Sequence, residues 1–132
     1  MDITIAEAAR QLQEAQDILL IAHKSPDGDT LGSSFALYWA LCGLQKRVRV
    51  ECSDPIPNKY SYFLPKEMPR FEPRFYAAVD LADVQLLGER LEPLAGSVHL
   101  CIDHHVTNTR YAACTLVDPY QAATAQLIYR VI

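Results

Sequence analysis

The chain lacks most of the features by which a protein announces a cofactor or a compartment. It has only five glycines, and none are arranged as G-x-G-x-x-G or as a P-loop, so a plain dinucleotide- or nucleotide-cradling domain has no support. Four cysteines (Cys42, Cys52, Cys101, Cys114) form no C-x-x-C pair, which argues against a closed structural zinc site. Their apolar neighbours, as in Leu100-Cys101-Ile102, suit buried reduced thiols in a cytoplasmic protein. No apolar run approaches the roughly 18 residues of a membrane span, so no membrane role is expected. The start, Met1-Asp2-Ile3-Thr4, has no basic stretch of the kind that opens a secretory signal. Positive charge is not in excess: twelve Lys and Arg against sixteen Asp and Glu give a formal net charge of −4. That balance argues against an electrostatic clamp on nucleic acid.

What is present is an alternation of helical and strand patterns. At 132 residues the chain is one domain's worth, long enough to bury about two-thirds of its unfolded surface. Thr4 and Glu7 form a capping box ahead of Ile5, Ala8, Ala9, Leu12 and Ala15 at helical spacing. Ile18-Leu19-Leu20-Ile21-Ala22 reads as a strand covered on both faces. A polar turn from His23 to Asp29 leads into a well-buried helix from Thr30 to about Leu44, whose Tyr38 and Trp39 are expected in the core. Arg47 to Cys52 alternates as a half-buried strand nearer a sheet edge. Five of the eight prolines fall between residues 53 and 74, a surface connection with one short helix near Lys59–Phe63. Phe75–Val79 is the next buried strand. Asp83 caps a helix from about Val84 to Leu91, stopped by Pro93 and Gly96. Val98–Ile102 and Cys114–Val117 are further strands, and Asp118-Pro119 leads into a last helix. The order implies an α/β fold: a doubly wound, mostly parallel sheet with helices on both faces. That helix runs out on Val131 and Ile132 without a polar cap, which suggests a fragment of a longer protein.

Three polar clusters follow three buried strands: His23-Lys24-Ser25-Pro26-Asp27-Gly28-Asp29, then Asp80, then Asp103-His104-His105. In a doubly wound sheet those strand ends open on one edge, where ligands bind. Asp27-Gly28-Asp29 alone is an ordinary turn, and adjacent histidines alone are ordinary surface residues. Converging, several aspartates repel one another unless cations lie between them. Mixed imidazole and carboxylate ligands favour manganese, iron, cobalt or zinc over calcium. Five candidate ligands are too many for one catalytic ion with open positions and suit two ions roughly 3.5–4 Å apart. His99 reads as a packed or surface histidine, and Thr124 equally as helix packing or substrate contact.

His23-x-x-Pro26-Asp27-Gly28-Asp29 with Gly32-Ser33, Asp80, and Asp103-His104-His105 with Asn108 resemble, in order, three motifs of the DHH phosphoesterase superfamily. That family includes RecJ-type exonucleases, family II pyrophosphatases, exopolyphosphatase-like proteins and oligoribonucleases that also dephosphorylate 3′-phosphoadenosine 5′-phosphate. Val117-Asp118-Pro119 with Ala123-Thr124-Ala125-Gln126-Leu127-Ile128-Tyr129 is most similar to the last branch. The resemblance implies a cytoplasmic, manganese-dependent hydrolase acting on a small nucleotide or short single-stranded oligonucleotide. It implies two manganese ions, with magnesium, cobalt or zinc as substitutes; a homodimer is compatible with it. His23 and Asp27 are expected on one ion, Asp29 and His104 on the other, and Asp80 between them. Asp103 is expected to orient a histidine, and His105 to face the substrate phosphate as donor or acid. Asn108 and Arg110 are candidate phosphate contacts. The family's further aspartate and its DHH-associated domain lie beyond residues 1–132, so this chain alone is expected to be inactive or weak. The competing readings are a non-catalytic nucleotide- or partner-binding module with an incomplete metal site, and a pyrophosphatase- or exopolyphosphatase-like hydrolase.

Overall fold

Alternate residues of the strands decide the architecture, because the inner strands are apolar on both sides. In the computed structural model, which describes residues 1–132, five strands form one all-parallel sheet. They are β1 (Ile18–Ala22), β2 (Val48–Glu51), β3 (Phe75–Val79), β4 (Leu100–Asp103) and β5 (Cys114–Val117), in the spatial order β2-β1-β3-β4-β5. Ile18, Leu20, Ala77, Val79, Leu100 and Ile102 point to one face, where they pack on three α-helices. These are α1 (Ile5–Glu14), α2 (Gly28–Gly43) and α3 (Thr124–Val131). Leu19, Ile21, Ala78 and Cys101 point to the other face and pack on Leu81, Leu87, Leu91 and Val98. A parallel strand buried on both sides cannot alternate with polar residues, which is why β1 is apolar throughout. β2, at the edge, does alternate between buried and half-buried residues.

Helices therefore lie on both faces, but they differ in kind. The second face carries two short 3-10 turns, Val84–Leu87 and Glu92–Ser97, in place of the single helix expected from Val84 to Leu91. Asp83 does cap the first, accepting from the Gln85 N–H at 2.9 Å. The turn ends early because Gly88 adopts a left-handed φ of 80°, where a Cβ would meet the Ser53 side chain at 2.6 Å. Pro93 then opens the second turn instead of ending the first.

Three further expectations shift. α2 begins at Gly28, two residues before Thr30, because the Asp27 carboxylate caps it by accepting from the Thr30 N–H at 3.0 Å. Tyr38 is core, but Trp39 is half exposed and donates its indole N–H to the Phe63 carbonyl at 2.9 Å. It braces the 53–74 connection, whose short helix is a 3-10 turn over Asn58–Phe63. All four cysteines are free, and Cys101 alone is fully buried. His99 is a packing residue. Its Nδ1 accepts from the Tyr76 N–H at 3.0 Å, and its ring stacks on Phe75 and Tyr76. No helix is long and apolar enough to cross a membrane.

From β1 the chain moves outward to β2 and then returns to the other side of β1 as β3. Such a reversal leaves a crevice beyond the carboxyl ends of the two strands it separates. His23 follows β1 and Asp80 follows β3, so both stand at its mouth.

Candidate metal centre

Parallel pairing sets the strand ends level, with Ala22 opposite Val79, Val79 opposite Ile102, and Asp103 opposite Val117. The three polar clusters are thus brought to one edge by register alone. The turn after β1 is fastened from outside. The Lys24 N–H donates to the Leu86 carbonyl at 2.7 Å, and Ser25, with a left-handed φ of 50°, donates its N–H to Asp54 at 2.6 Å. Thr30 ties the ends of β1 and β3 together: its hydroxyl donates to the Val79 carbonyl and accepts from the His23 N–H.

Asp80 occupies the middle. Its backbone is left-handed (φ 62°), a conformation that aspartate tolerates better than most side chains, and its carboxylate is almost fully buried. Oδ2 faces His23 Nε2 at 3.7 Å, and Oδ1 faces His104 Nε2 at 3.6 Å. On the first side Asp27 Oδ1 lies 3.6 Å from His23 Nε2. On the second, Asp29 Oδ2 lies 3.6 Å from His104 Nε2. His23, Asp27 and Asp80 thus form one cluster whose ligand atoms all lie within 4.8 Å of one another, and Asp80, His104 and His105 form a second, which Asp29 joins through its contact with His104.

The histidine tautomers decide what this arrangement can hold. His23 Nδ1 lies 2.6 Å from the Lys24 carbonyl, and His104 Nδ1 lies 3.1 Å from the Gln121 carbonyl. A carbonyl only accepts, so each Nδ1 carries the proton, and in the neutral ring Nε2 is a bare lone pair. Two imidazole Nε2 atoms then face three carboxylates, an arrangement of ligand atoms that repel one another unless a cation lies among them. A cation relieves that repulsion, and bonds of about 2.0–2.2 Å place neighbouring ligand atoms roughly 3.0–3.5 Å apart, close to the separations seen. The residues fit divalent metal. Burial first, and then the charges of Asp29 and Asp103, push the Asp80 carboxyl up to about 6, against the Thr124 hydrogen bond and the charge of His105.

His105 is held differently. Its Nδ1 is 2.6 Å from Asp103 Oδ1, which leaves Nε2 as the free nitrogen of a side chain that is partly exposed. Burial works against the protonated ring, but the Asp103 hydrogen bond and the charges of Asp103, Asp80 and Asp29 outweigh it, and the net direction is upward. His105 Nδ1 also lies 3.7 Å from Asp80 Oδ1, but the much shorter contact commits that nitrogen to Asp103. Asp103 is fully buried and accepts from His105, from the His104 N–H and from Asn108 Nδ2.

The expected phosphate contacts are placed otherwise. Asn108 is buried, with Nδ2 donating to Asp103 at 2.9 Å and lying 3.5 Å from Cys101 Sγ. Its Oδ1 accepts from the Arg110 N–H. It is part of the frame behind His105. Arg110 turns to Asp2, donating from Nε at 3.0 Å, and donates to the Asn108 carbonyl from Nη1. The left-handed backbone at Arg110 (φ 58°) turns its side chain towards the amino-terminal segment.

The α3 amino terminus contributes what the sequence reading did not assign. Ala123 cannot cap its own helix, and Asp29 does so in its place: the N–H groups of Thr124 and Ala125 donate to its two oxygens, each at 3.0 Å. Thr124 is fully buried, and its hydroxyl donates to Asp80 Oδ1 at 2.8 Å. The only signal in the sequence is a polar residue at the head of an apolar helix. Asp118 stays out of the centre, accepting from the Tyr120 N–H and from Gln121 Nε2.

An all-parallel α/β sheet with two carboxylate–imidazole groups sharing one aspartate at its switch point defines a metal-competent domain. The chain belongs to the DHH family, whose N-terminal domain matches residues 17–132. It is 37% identical to the bifunctional oligoribonuclease and PAP phosphatase NrnA of Thermus thermophilus, over 84% of this chain and 35% of that protein. The chain thus spans about a third of the length of this curated relative. A crystal structure of an exopolyphosphatase-related protein from Bacteroides fragilis superposes with a TM-score of 0.79, at 22% identity, over 97% of this chain and 42% of that one. At that identity the likeness concerns the fold.

Proposed function

We propose that this domain is the metal-holding part of a manganese-dependent phosphoesterase that hydrolyses phosphate esters of short oligonucleotides or small nucleotides. The similarity to an oligoribonuclease and PAP phosphatase favours that substrate class. The observation that carries the reading is the pair of Nε2 atoms, whose rings are held through Nδ1 by the Lys24 and Gln121 carbonyls and which lie 3.7 and 3.6 Å from the two Asp80 oxygens. His23 and Asp27 would hold one ion and Asp29 and His104 the second, with Asp80 placed to serve both. Bound there, two such cations supply a water of lowered pKa and neutralise charge on the phosphate. The chain's own residues do the rest. Asp103, itself held by Asn108, keeps the proton of His105 on Nδ1 or stabilises the imidazolium, so that Nε2 is set as donor to a phosphate oxygen or leaving oxygen.

The test is hydrolysis by the protein that contains this domain, assayed with Mn²⁺ on 3′-phosphoadenosine 5′-phosphate, dinucleotides and pyrophosphate. Asp80→Ala and His104→Ala should each remove at least 10²-fold of the turnover while the fold persists by circular dichroism. Unchanged turnover in either variant refutes the assignment. Preference for pyrophosphate over both nucleotide substrates moves the substrate class to a pyrophosphatase. Metal binding without hydrolysis of any of the three defines a binding module.

A further inference from the structure

Thr124 is a buried polar residue whose hydroxyl has an unusual partner. In a helix such a hydroxyl commonly bonds back to its own backbone, but Thr124 opens α3, and its hydroxyl crosses to Asp80 Oδ1, 44 residues away in sequence, at 2.8 Å. The docking of α3 does not call for a hydroxyl there: Leu127, Ile128 and Val131 supply its buried apolar face. What the hydroxyl does is restrict rotation of the Asp80 carboxylate. With Oδ1 held, Oδ2 is left towards His23, and the two oxygens are divided between the two histidines. The same residue's N–H donates to Asp29 Oδ2, the oxygen that lies 3.6 Å from His104 Nε2. One residue thus fixes the shared carboxylate and one of the outer carboxylates.

We propose that Thr124 is a positioning residue of the metal centre, orienting Asp80 through its hydroxyl and Asp29 through its backbone N–H. The proposal rests on the metal-holding reading above. It is tested on the protein that contains this domain by titrating Mn²⁺ into the wild type, Thr124→Val and Thr124→Ser by calorimetry, with thermal melts in EDTA. Valine keeps the β-branched shape and the backbone N–H and removes only the hydroxyl; serine keeps the hydroxyl and removes the methyl. Groups that orient a metal ligand typically contribute 10–100-fold in affinity. Thr124→Val should therefore bind Mn²⁺ about 10–100-fold more weakly, and Thr124→Ser should stay within a few-fold of wild type, even where its melting temperature is the lower of the two. Wild-type affinity in Thr124→Val overturns the proposal and leaves the metal reading standing. Equal loss in both variants, tracking their melting temperatures, also overturns it and makes Thr124 a packing residue. A wild type that takes no Mn²⁺ overturns the metal reading and this proposal together.

Discussion

Replacing Asp80 with asparagine should stabilise the metal-free protein at alkaline pH while abolishing its stabilisation by metal. In the folded chain burial pushes the Asp80 carboxyl from 3.8 up to about 6. The unfolded chain ionises it near the lower value, so the folded state resists losing that proton. The penalty is absent below about pH 4 and grows to its full size above about pH 6. That rise from 3.8 to about 6, at about 1.36 kcal/mol for each tenfold change in proton affinity, amounts to roughly 2–3 kcal/mol. Asparagine carries no charge, accepts the same hydrogen bond from Thr124, and tolerates the left-handed backbone as well as aspartate does. At about 2.1 cal/mol/K per residue, unfolding of 132 residues has an entropy near 0.28 kcal/mol/K. In EDTA at pH 8, Asp80→Asn should therefore melt roughly 7–11 °C above the wild type, and the two should converge at pH 4. With saturating Mn²⁺ the order should reverse, because the wild type gains RT ln(1 + [Mn²⁺]/Kd) and the variant has lost the shared ligand. Melting curves at pH 4, 6 and 8, with and without metal, measure all of this. A lower melting temperature for Asp80→Asn in EDTA at pH 8, or a difference unchanged between pH 4 and 8, refutes the picture of a desolvated carboxylate awaiting a cation.

Two further outcomes follow from residues away from the centre. Asp17, left-handed at φ 54°, is held below the usual carboxylate range first by its hydrogen bond from Arg47 and then by Arg74. Its contribution is present above pH 3.8 and is lost as pH falls through the depressed folded-state value. Urea midpoints should fall more steeply with acid in the wild type than in Asp17→Asn, and parallel curves between pH 5 and 2 contradict the pairing. Leu127, fully buried in the cluster that joins α3 to the sheet, should lose about 2–5 kcal/mol on replacement by alanine, read as a lower urea midpoint at unchanged slope. A loss under 1 kcal/mol indicates that α3 is only loosely docked.

The sheet was legible in the sequence because β1, β3 and β4 are short runs of apolar residues with a polar cluster after each, and parallel register does the rest. That His23, Asp27, Asp29, Asp80 and His104 meet at one edge was legible for the same reason: each sits just after a strand, or in the turn and first helical residues that follow it. What escaped depends on contacts between residues far apart in the chain. The cap of α3 comes from Asp29, 95 residues earlier, so the helix itself shows only Ala123. Arg110 is claimed by Asp2, 108 residues away, and no local pattern separates a cation committed to such a partner from one free to meet phosphate. The missed break at Gly88 is of another kind. Apolar spacing from Val84 to Leu91 suits a helix, and only the left-handed backbone over Ser53 prevents it.

Asp29's second duty constrains how such a site can decay. Its carboxylate anchors the start of α3 as well as facing His104, so a relative that does not hold metal would still be selected to keep Asp29 for folding. His23 and His104, which cap no helix, are the positions where neutral drift should show first. A relative that retains this aspartate but has lost both imidazoles is therefore a retired catalyst that still needs its scaffold.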